Sequence, residues 1–148
     1  MLSVTTKKRI STFAALTALT WSQVTNARRE PLIGRGIRET RVGIAIDHRK
    51  RIGSLLPSDY VGNCANGMTV CLPLSRVPSC EALNDAQLTV VAGAICDSLS
   101  DIDIDWFRVR LSAMAKQENS SRLLLDIDTR NGPALFISSW MHIIADDV

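Results

Sequence analysis

The 148 residues carry 46% hydrophobic and 22% charged side chains at a formal net charge of +2, apolar content enough for one core at the size of a single modest domain. Only 5% aromatic residues, with 8 Gly and 5 Pro, exclude disordered, collagenous and low-complexity classes. The charge is divided: residues 1–53 hold 11 Lys/Arg against 3 acids and residues 54–148 hold 6 against 12, so the halves neutralise each other or the basic one faces an anion.

The first predicted element is a helix capped by Ser11, with Phe13, Leu16, Leu19 or Thr20, and Val24 recurring at three- and four-residue steps as far as Arg28-Arg29. Lys7-Lys8-Arg9 ahead of it imitates a secretory leader, but Ser11, Thr12, Thr17 and Thr20 interrupt the apolar stretch. Pro31, Gly34 and Gly36 are expected to break the helix, and Val42 to Ile46 reads as a buried strand running into Asp47-His48-Arg49-Lys50-Arg51. A turn-rich connection from Gly53 to Asn66 follows. Met68 to Leu74 makes the second predicted strand. Pro78-Ser79 opens a predicted helix to about Leu99, with Ala82, Ala86, Val90 and Ala94 along its apolar side, and another helix covers Trp106 to Gln117. Residues 123–133 give a small element and a turn, and Ala134 to Ile144 reads as a last strand. No repeat or linker divides the chain.

Cys64, Cys71, Cys80 and Cys96 stand at spacings of 7, 9 and 16, which matches no metal knuckle or redox pair. They read as four buried thiols in a reducing compartment. His48 and His142 are the only histidines and neither stands at ligand spacing from a cysteine, so no metal is expected. Asp101, Asp103 and Asp105 lack the glycine and terminal glutamate of a calcium loop and read as the start of a helix. No segment reaches the roughly 18 apolar residues of a membrane span. The basic half lacks the aromatic–basic interleaving of nucleic-acid readers.

Four stretches in order carry a resemblance: Ser11-x-Phe13-x-Ala15-Leu16-Thr17-Ala18-x-x-Trp21, Asp47-x-Arg49-x-Arg51, Leu56-Pro57-x-x-Tyr60-Val61-Gly62-Asn63, and Phe136-Ile137-Ser138-Ser139-Trp140. Together they resemble the BAHD-type acyl-CoA-dependent acyltransferases over nearly the whole chain, with a flavour near fungal trichothecene acetyltransferase-like members around Trp140 to Val148. The family's HxxxD motif is expected ahead of the Ser11 helix and its DFGWG motif after Val148. Residues 1–148 are therefore expected to be a partial acyltransferase domain, the crossover plus the first part of the C-terminal half. The implied fold is α/β, chloramphenicol acetyltransferase-like, incomplete, a mixed sheet with flanking helices.

The resemblance also implies the chemistry. A histidine takes a proton from a hydroxyl or amine acceptor, which attacks the acyl-CoA thioester and forms a tetrahedral oxyanion. Trp140 stands where the family places an indole N–H for that oxyanion, with Ser138 beside it. The two share one face of an extended strand and Ser139 faces away. Lys7, Lys8 and Ser11 at the helix start, and Arg49 and Arg51 after the first strand, are the candidates for the phosphates of CoA. Asp47 is expected to pair with one of those arginines and leave the other guanidinium free. His48 is expected to be exposed or packed. Tyr60, Gly62 and Asn63 look like the family's turn, and read as architecture.

His142 to Asp146 spells HxxxD in the wrong place, and in an extended strand its ends lie on the order of 13 Å apart, too far to orient an imidazole. The expected function is thus acyl transfer from CoA to a small metabolite, acyl-CoA being a co-substrate and no cofactor permanently bound. The alternative is a noncatalytic remnant that keeps part of the CoA-binding surface. Expected partners are acyl-CoA and a small-molecule acceptor, with no nucleic acid and no membrane, in the cytoplasm. Uncovered sheet edges are expected to favour self-association.

Overall fold

The computed structural model describes residues 9–52, 56–57, 59–118, 127–130 and 132–139. Helix α1 (Thr12–Gly34) leads into strand β1 (Glu39–Asp47), strand β2 (Ala65–Pro73), a short 3-10 turn (Leu74–Arg76), helices α2 (Asp85–Ser100) and α3 (Ile104–Ala115), and strand β3 (Ala134–Ile137). The sheet has the order β2-β1-β3, with β1 antiparallel to β2 and parallel to β3. This is the mixed α/β arrangement expected from the sequence, with helices packed against a small mixed sheet.

Alternation builds the core. Val42, Ile44 and Ile46 of β1 and Met68, Val70 and Leu72 of β2 are buried, and the register pairs Val42 with Val70 and Ile44 with Met68. Side chains two apart share a face, so these six form one apolar layer. Ala14, Ala18 and Trp21 of α1 and Val91, Ala92 and Ile95 of α2 belong to the same core cluster. Cys71 falls on the opposite face of β2 and is exposed, as is Cys80, while Cys96 is half-buried and only Cys64 is buried. The expectation of four buried thiols holds at Cys64 and fails at Cys71 because the period of β2 assigns its core face to the even-numbered residues; Cys80 lies in the turn before α2 and Cys96 on α2.

Helix α1 begins as expected, the Ser11 hydroxyl accepting from the Ala14 amide at 3.1 Å. It ends later than expected, running through Pro31 to Gly34. Proline interrupts only one turn's hydrogen bond, and buried Leu32 anchors the turn beyond it. The Gly36 amide then donates to the Ile33 carbonyl and the Ile37 amide to Leu32, with Gly36 at a φ of 75°, the left-handed residue that closes a helix. Its core stripe also differs from the predicted one. The small Ala14 and Ala18 let the helix approach closely, while Leu16 is 51% exposed and Leu19 39%.

Helix α2 starts at Asn84, whose side chain accepts from the Gln87 amide, with Asp85 in the first turn. Pro78-Ser79 instead opens a turn in which Ser79 takes the Ala82 amide. Asn84 followed by an acid is the better helix start because it satisfies an orphan amide and complements the dipole. The buried residues are Val91, Ala92 and Ile95, and Val90, expected on the apolar side, is exposed. Helix α3 is capped by Asp103, which accepts from the Trp106 amide at 2.7 Å. Strand β3 is four residues long. Ser138 and Ser139 follow it outside the ladder, and residues 140–144 of the predicted last strand, with 123–126 and 131 of the small element before it, lie outside the described residues.

One buried hydroxyl ties these pieces together. Thr40 donates to the Pro133 carbonyl at 2.8 Å and accepts from Trp21 Nε1 at 3.0 Å. Its single proton is committed, so the Thr25 hydroxyl at 3.1 Å donates to it. Thr40→Val keeps the shape and leaves an indole N–H and a hydroxyl without this partner, while the Pro133 carbonyl keeps only the Arg41 amide. We expect a loss of about 1–3 kcal/mol in urea denaturation, largely restored by Thr40→Ser.

Candidate active site

The turn between Gly34 and Glu39 folds β1 back along α1: Trp21 midway along α1 meets Thr40 at the start of β1, and Phe13 near the start of α1 shares a groove with Ile137, the partner of Ile44 toward the end of β1. Parallel pairing of Ile44 with Ile137 brings the residues after β3 to that same end. A groove of about 260 Å³ opens there, lined by Phe13, Leu16, Thr17 and Thr20 of α1 and by Ile137, Ser138 and Ser139. Its α1 side repeats at the three- and four-residue steps of one helix face. Sequence periodicity marks Phe13, Leu16 and Thr20, but as core positions; in the structure this face flanks the groove, and the neighbouring face of Ala14, Ala18 and Trp21 meets the sheet. The groove pairs apolar Phe13, Leu16 and Ile137 with hydroxyls from Thr17, Thr20, Ser138 and Ser139, a mixture suited to an apolar chain with a polar head.

Ser138 and Ser139 both line the groove. Strict alternation, which turns Ser139 away, ends with the ladder at Ile137. Trp140 lies outside the described residues, directly after Ser139 in the chain. Lys7 and Lys8 also lie outside them. Ser11 sits at the start of the helix that walls the groove, its hydroxyl engaged by the Ala14 amide.

Arg49 and Arg51 leave the same end of β1 but are absent from the groove lining. Arg49 pairs with Asp47 at 3.2 Å and donates to the Gly62 carbonyl at 2.7 Å. Arg51 donates to the Ile102 carbonyl at 2.7 Å, with the Leu99 carbonyl at 3.5 Å, just beyond α2. The expected Asp47–Arg pair is therefore present. The second guanidinium, expected to be free, instead occupies the carbonyl-rich C-terminal end of α2, where the helix dipole favours a cation.

The connection that Arg49 holds is shaped by its own residues. A Cβ on Gly62 would run into the Tyr60 phenol, and the Asn63 side chain accepts from the Ala65 amide at 2.9 Å. Sequence reasoning missed two further staples. Arg29 donates to the Asn26 side chain and to the Leu74 and Val77 carbonyls, and Arg28 donates to the Ala134 carbonyl. The sequence pattern breaks at these two arginines, yet they lie within α1 and reach across to other segments. Among the described residues, no group of three or more His, Cys, Asp and Glu is placed to hold a metal ion. No described helix is long and apolar enough to cross a membrane.

A family described as the Transferase family matches residues 2–148. The chain belongs to that family, the BAHD type its four motifs resemble. It is 31% identical over 139 residues to a hydroxycinnamoyl-CoA:5-hydroxyanthranilate N-hydroxycinnamoyltransferase of Avena sativa, covering 94% of this chain and 29% of that protein. It is 28% identical over 136 residues to rosmarinate synthase of Plectranthus scutellarioides, covering 92% and 29%. Among solved structures it is similar to vinorine synthase, with a TM-score of 0.51 and 17% identity over 90% of this chain and 28% of that one, a likeness of fold. The chain thus spans 29% of the length of these two curated relatives.

The Arg49 contacts set an expectation for pH. The Asp47 carboxyl is held below its ordinary 3.8, first by the Arg49 amide and then by the Arg49 side chain and its charge, against a partial opposing effect of burial. A carboxyl lowered in the fold contributes above 3.8 and loses that contribution as pH falls through its lowered value. Arg49→Gln is expected to raise proteolytic cutting within residues 59–63 at neutral pH. Global stability should change by less than about 1 kcal/mol, because the pair is exposed.

Proposed function

We propose that this chain is the part of an acyl-CoA-dependent acyltransferase that receives the thioester. The acyl group passes from CoA to a hydroxyl or amine of a small metabolite. The observation that carries the reading is the meeting of α1 with residues 137–139 in one groove, since the two family motifs with the most direct chemistry lie on its two walls. The proton of the acceptor goes to a general base, the acceptor atom bonds to the thioester carbon, and the carbonyl oxygen becomes an oxyanion. Collapse of that intermediate breaks the carbon–sulfur bond and releases the CoA thiol. In this reading the Trp140 indole N–H and the Ser138 hydroxyl donate to the oxyanion, where preorganised donors act most strongly. Lys7, Lys8 and the start of α1 at Ser11 face the CoA phosphates. Arg49 and Arg51 act on the same region by holding its turn.

The acyl group we favour is a hydroxycinnamoyl, after the Avena sativa relative, whose name specifies a hydroxycinnamoyl-CoA donor. The finer placement near trichothecene acetyltransferase-like members rests on residues 140–148 alone. A cytoplasmic location goes with four free thiols in the described structure, which suit a reducing compartment. The second, alternative reading is binding without turnover; His142 and Asp146 stand after the Ser-Ser-Trp stretch and are given no catalytic part in either reading.

The test is calorimetric binding of a hydroxycinnamoyl-CoA to the 148-residue chain, beside an assay for release of the CoA thiol. Thr20→Trp, at an exposed position of the groove wall, is expected to weaken binding at least tenfold and leave the urea midpoint unchanged. Equal binding by the variant, or none by the parent chain at millimolar ligand, contradicts the proposal. Binding without thiol release selects the second reading.

A further inference from the structure

His48 lies in the turn after β1 and is 0% exposed, and neither Nδ1 nor Nε2 has a hydrogen-bond partner among the described residues. Its ring stacks on Trp106 at 5.7 Å with planes 18° apart, and lies 4.6 Å from the Phe107 ring. The expected exposed or packed histidine is therefore a packed one, and its packing carries an entire helix. Phe107 forms a second small core with Ile52 and Cys64, and it is the one buried residue of α3. Beyond it Val109 is 71% exposed, and Leu111 and Met114 are exposed as well. Among the described residues, helix α3 is held chiefly by its first turn, through Ile104, Trp106 and Phe107.

An imidazolium at this place has two N–H donors and no acceptor for either, and a buried unpaired charge is far more costly than a buried neutral ring. We propose that His48 is an acid-sensitive latch for α3: the neutral ring is the surface against which Trp106 and Phe107 pack, and protonation releases the helix and uncovers Ile52, Cys64 and Phe107.

The surrounding charges act in the same direction. From its own turn His48 faces Arg51 and Asp47, from α3 it faces Arg110, and from the residues leading into β2 it meets the Cys64 carbonyl through its own amide. The Cys64 thiol belongs to the same small cluster. Arg110 is already stacked over Trp106 at 5.0 Å. Asp47 favours the proton but is engaged by Arg49, while Asp103 is committed to the Trp106 amide and Asp105 to Arg108. Burial first, then the charges of Arg51 and Arg110, hold the His48 pKa below the ordinary 6.5. The released ring therefore takes up its proton at a higher pH than the docked one. Docking is complete above pH 6.5, weakens as pH falls by up to about tenfold per unit, and levels off once the docked ring is itself protonated.

Pulsed labelling of the 148-residue chain with a dipyridyl disulfide, which reacts with thiols at acid pH, reads the latch through Cys64. Exposed Cys71 and Cys80 serve as references in the same sample. The Cys64/Cys71 rate ratio is expected to rise between pH 7.5 and 5.5 in the parent chain, by at most about tenfold, and to stay flat in His48→Phe. An equal ratio at both pH values, or a rise that persists in His48→Phe, overturns the proposal. If His48→Phe does not fold, His142→Gln leaves one histidine whose proton resonances titrate alone. A midpoint below 6.5 accompanied by faster amide exchange in residues 104–115 is the expected result. A midpoint at 6.5, or one without that exchange, is the contrary one.

Discussion

The Thr40 hydroxyl is the contact on which the arrangement of the other parts depends. It lies at 1% exposure at the start of β1 and joins the indole of Trp21, the hydroxyl of Thr25 and the carbonyl of Pro133. A buried hydroxyl with all three neighbours supplied is favourable, and the same group with one missing is not. The node therefore specifies one relation between α1, β1 and the residues leading into β3. Arg28 on the Ala134 carbonyl and the Arg41 amide on the Pro133 carbonyl reinforce it from either side. Gly43 contributes by having no side chain, because a Cβ there would meet Phe136 and Ile127. Parallel pairing of β3 follows, and with it the delivery of Ser138 and Ser139 to the wall of α1.

The same end of the sheet also holds the basic turn after β1, whose cations are mostly engaged by the protein itself. Arg49 fastens the 59–63 segment and Arg51 fastens the exit of α2. These are guanidinium-to-carbonyl contacts, which use the planar fork where a lysine would supply a single point charge. His48 between them secures α3. One five-residue turn thus fixes three separate segments, which gives its Asp-x-Arg-x-Arg pattern a structural reason independent of any phosphate.

Much of this was legible in the residues, and the exceptions have physical causes. Helix starts are legible at Ser11 and in the Asp101, Asp103 and Asp105 run, where Asp103 is the cap, because a side-chain acceptor beside a helix start is a local property. The short apolar run Val42 to Ile46, β-branched at its ends, marks β1 for the same reason. The end of α1 was misjudged because burial of Leu32 outweighs the local penalty of Pro31. The core stripe of α1 was misjudged because large apolar letters were weighted over Ala14 and Ala18, whose value lies in close approach. The groove itself depends on β3 pairing with a strand some ninety positions earlier in the chain, and no local pattern encodes that. Nor does any local pattern show that His48, flanked by charged residues, has Trp106 and Phe107 folded over it.

The central claim is that the start of α1 and the end of β3 border one thioester-receiving groove. Amide hydrogen exchange of the 148-residue chain, with and without a saturating acyl-CoA, tests it most directly. The account predicts new protection in peptides from residues 11–20 and from residues 134–139 at the same ligand concentration, with peptides from α3 unchanged. Protection confined to one of those two regions, or appearing only on α3, would contradict it.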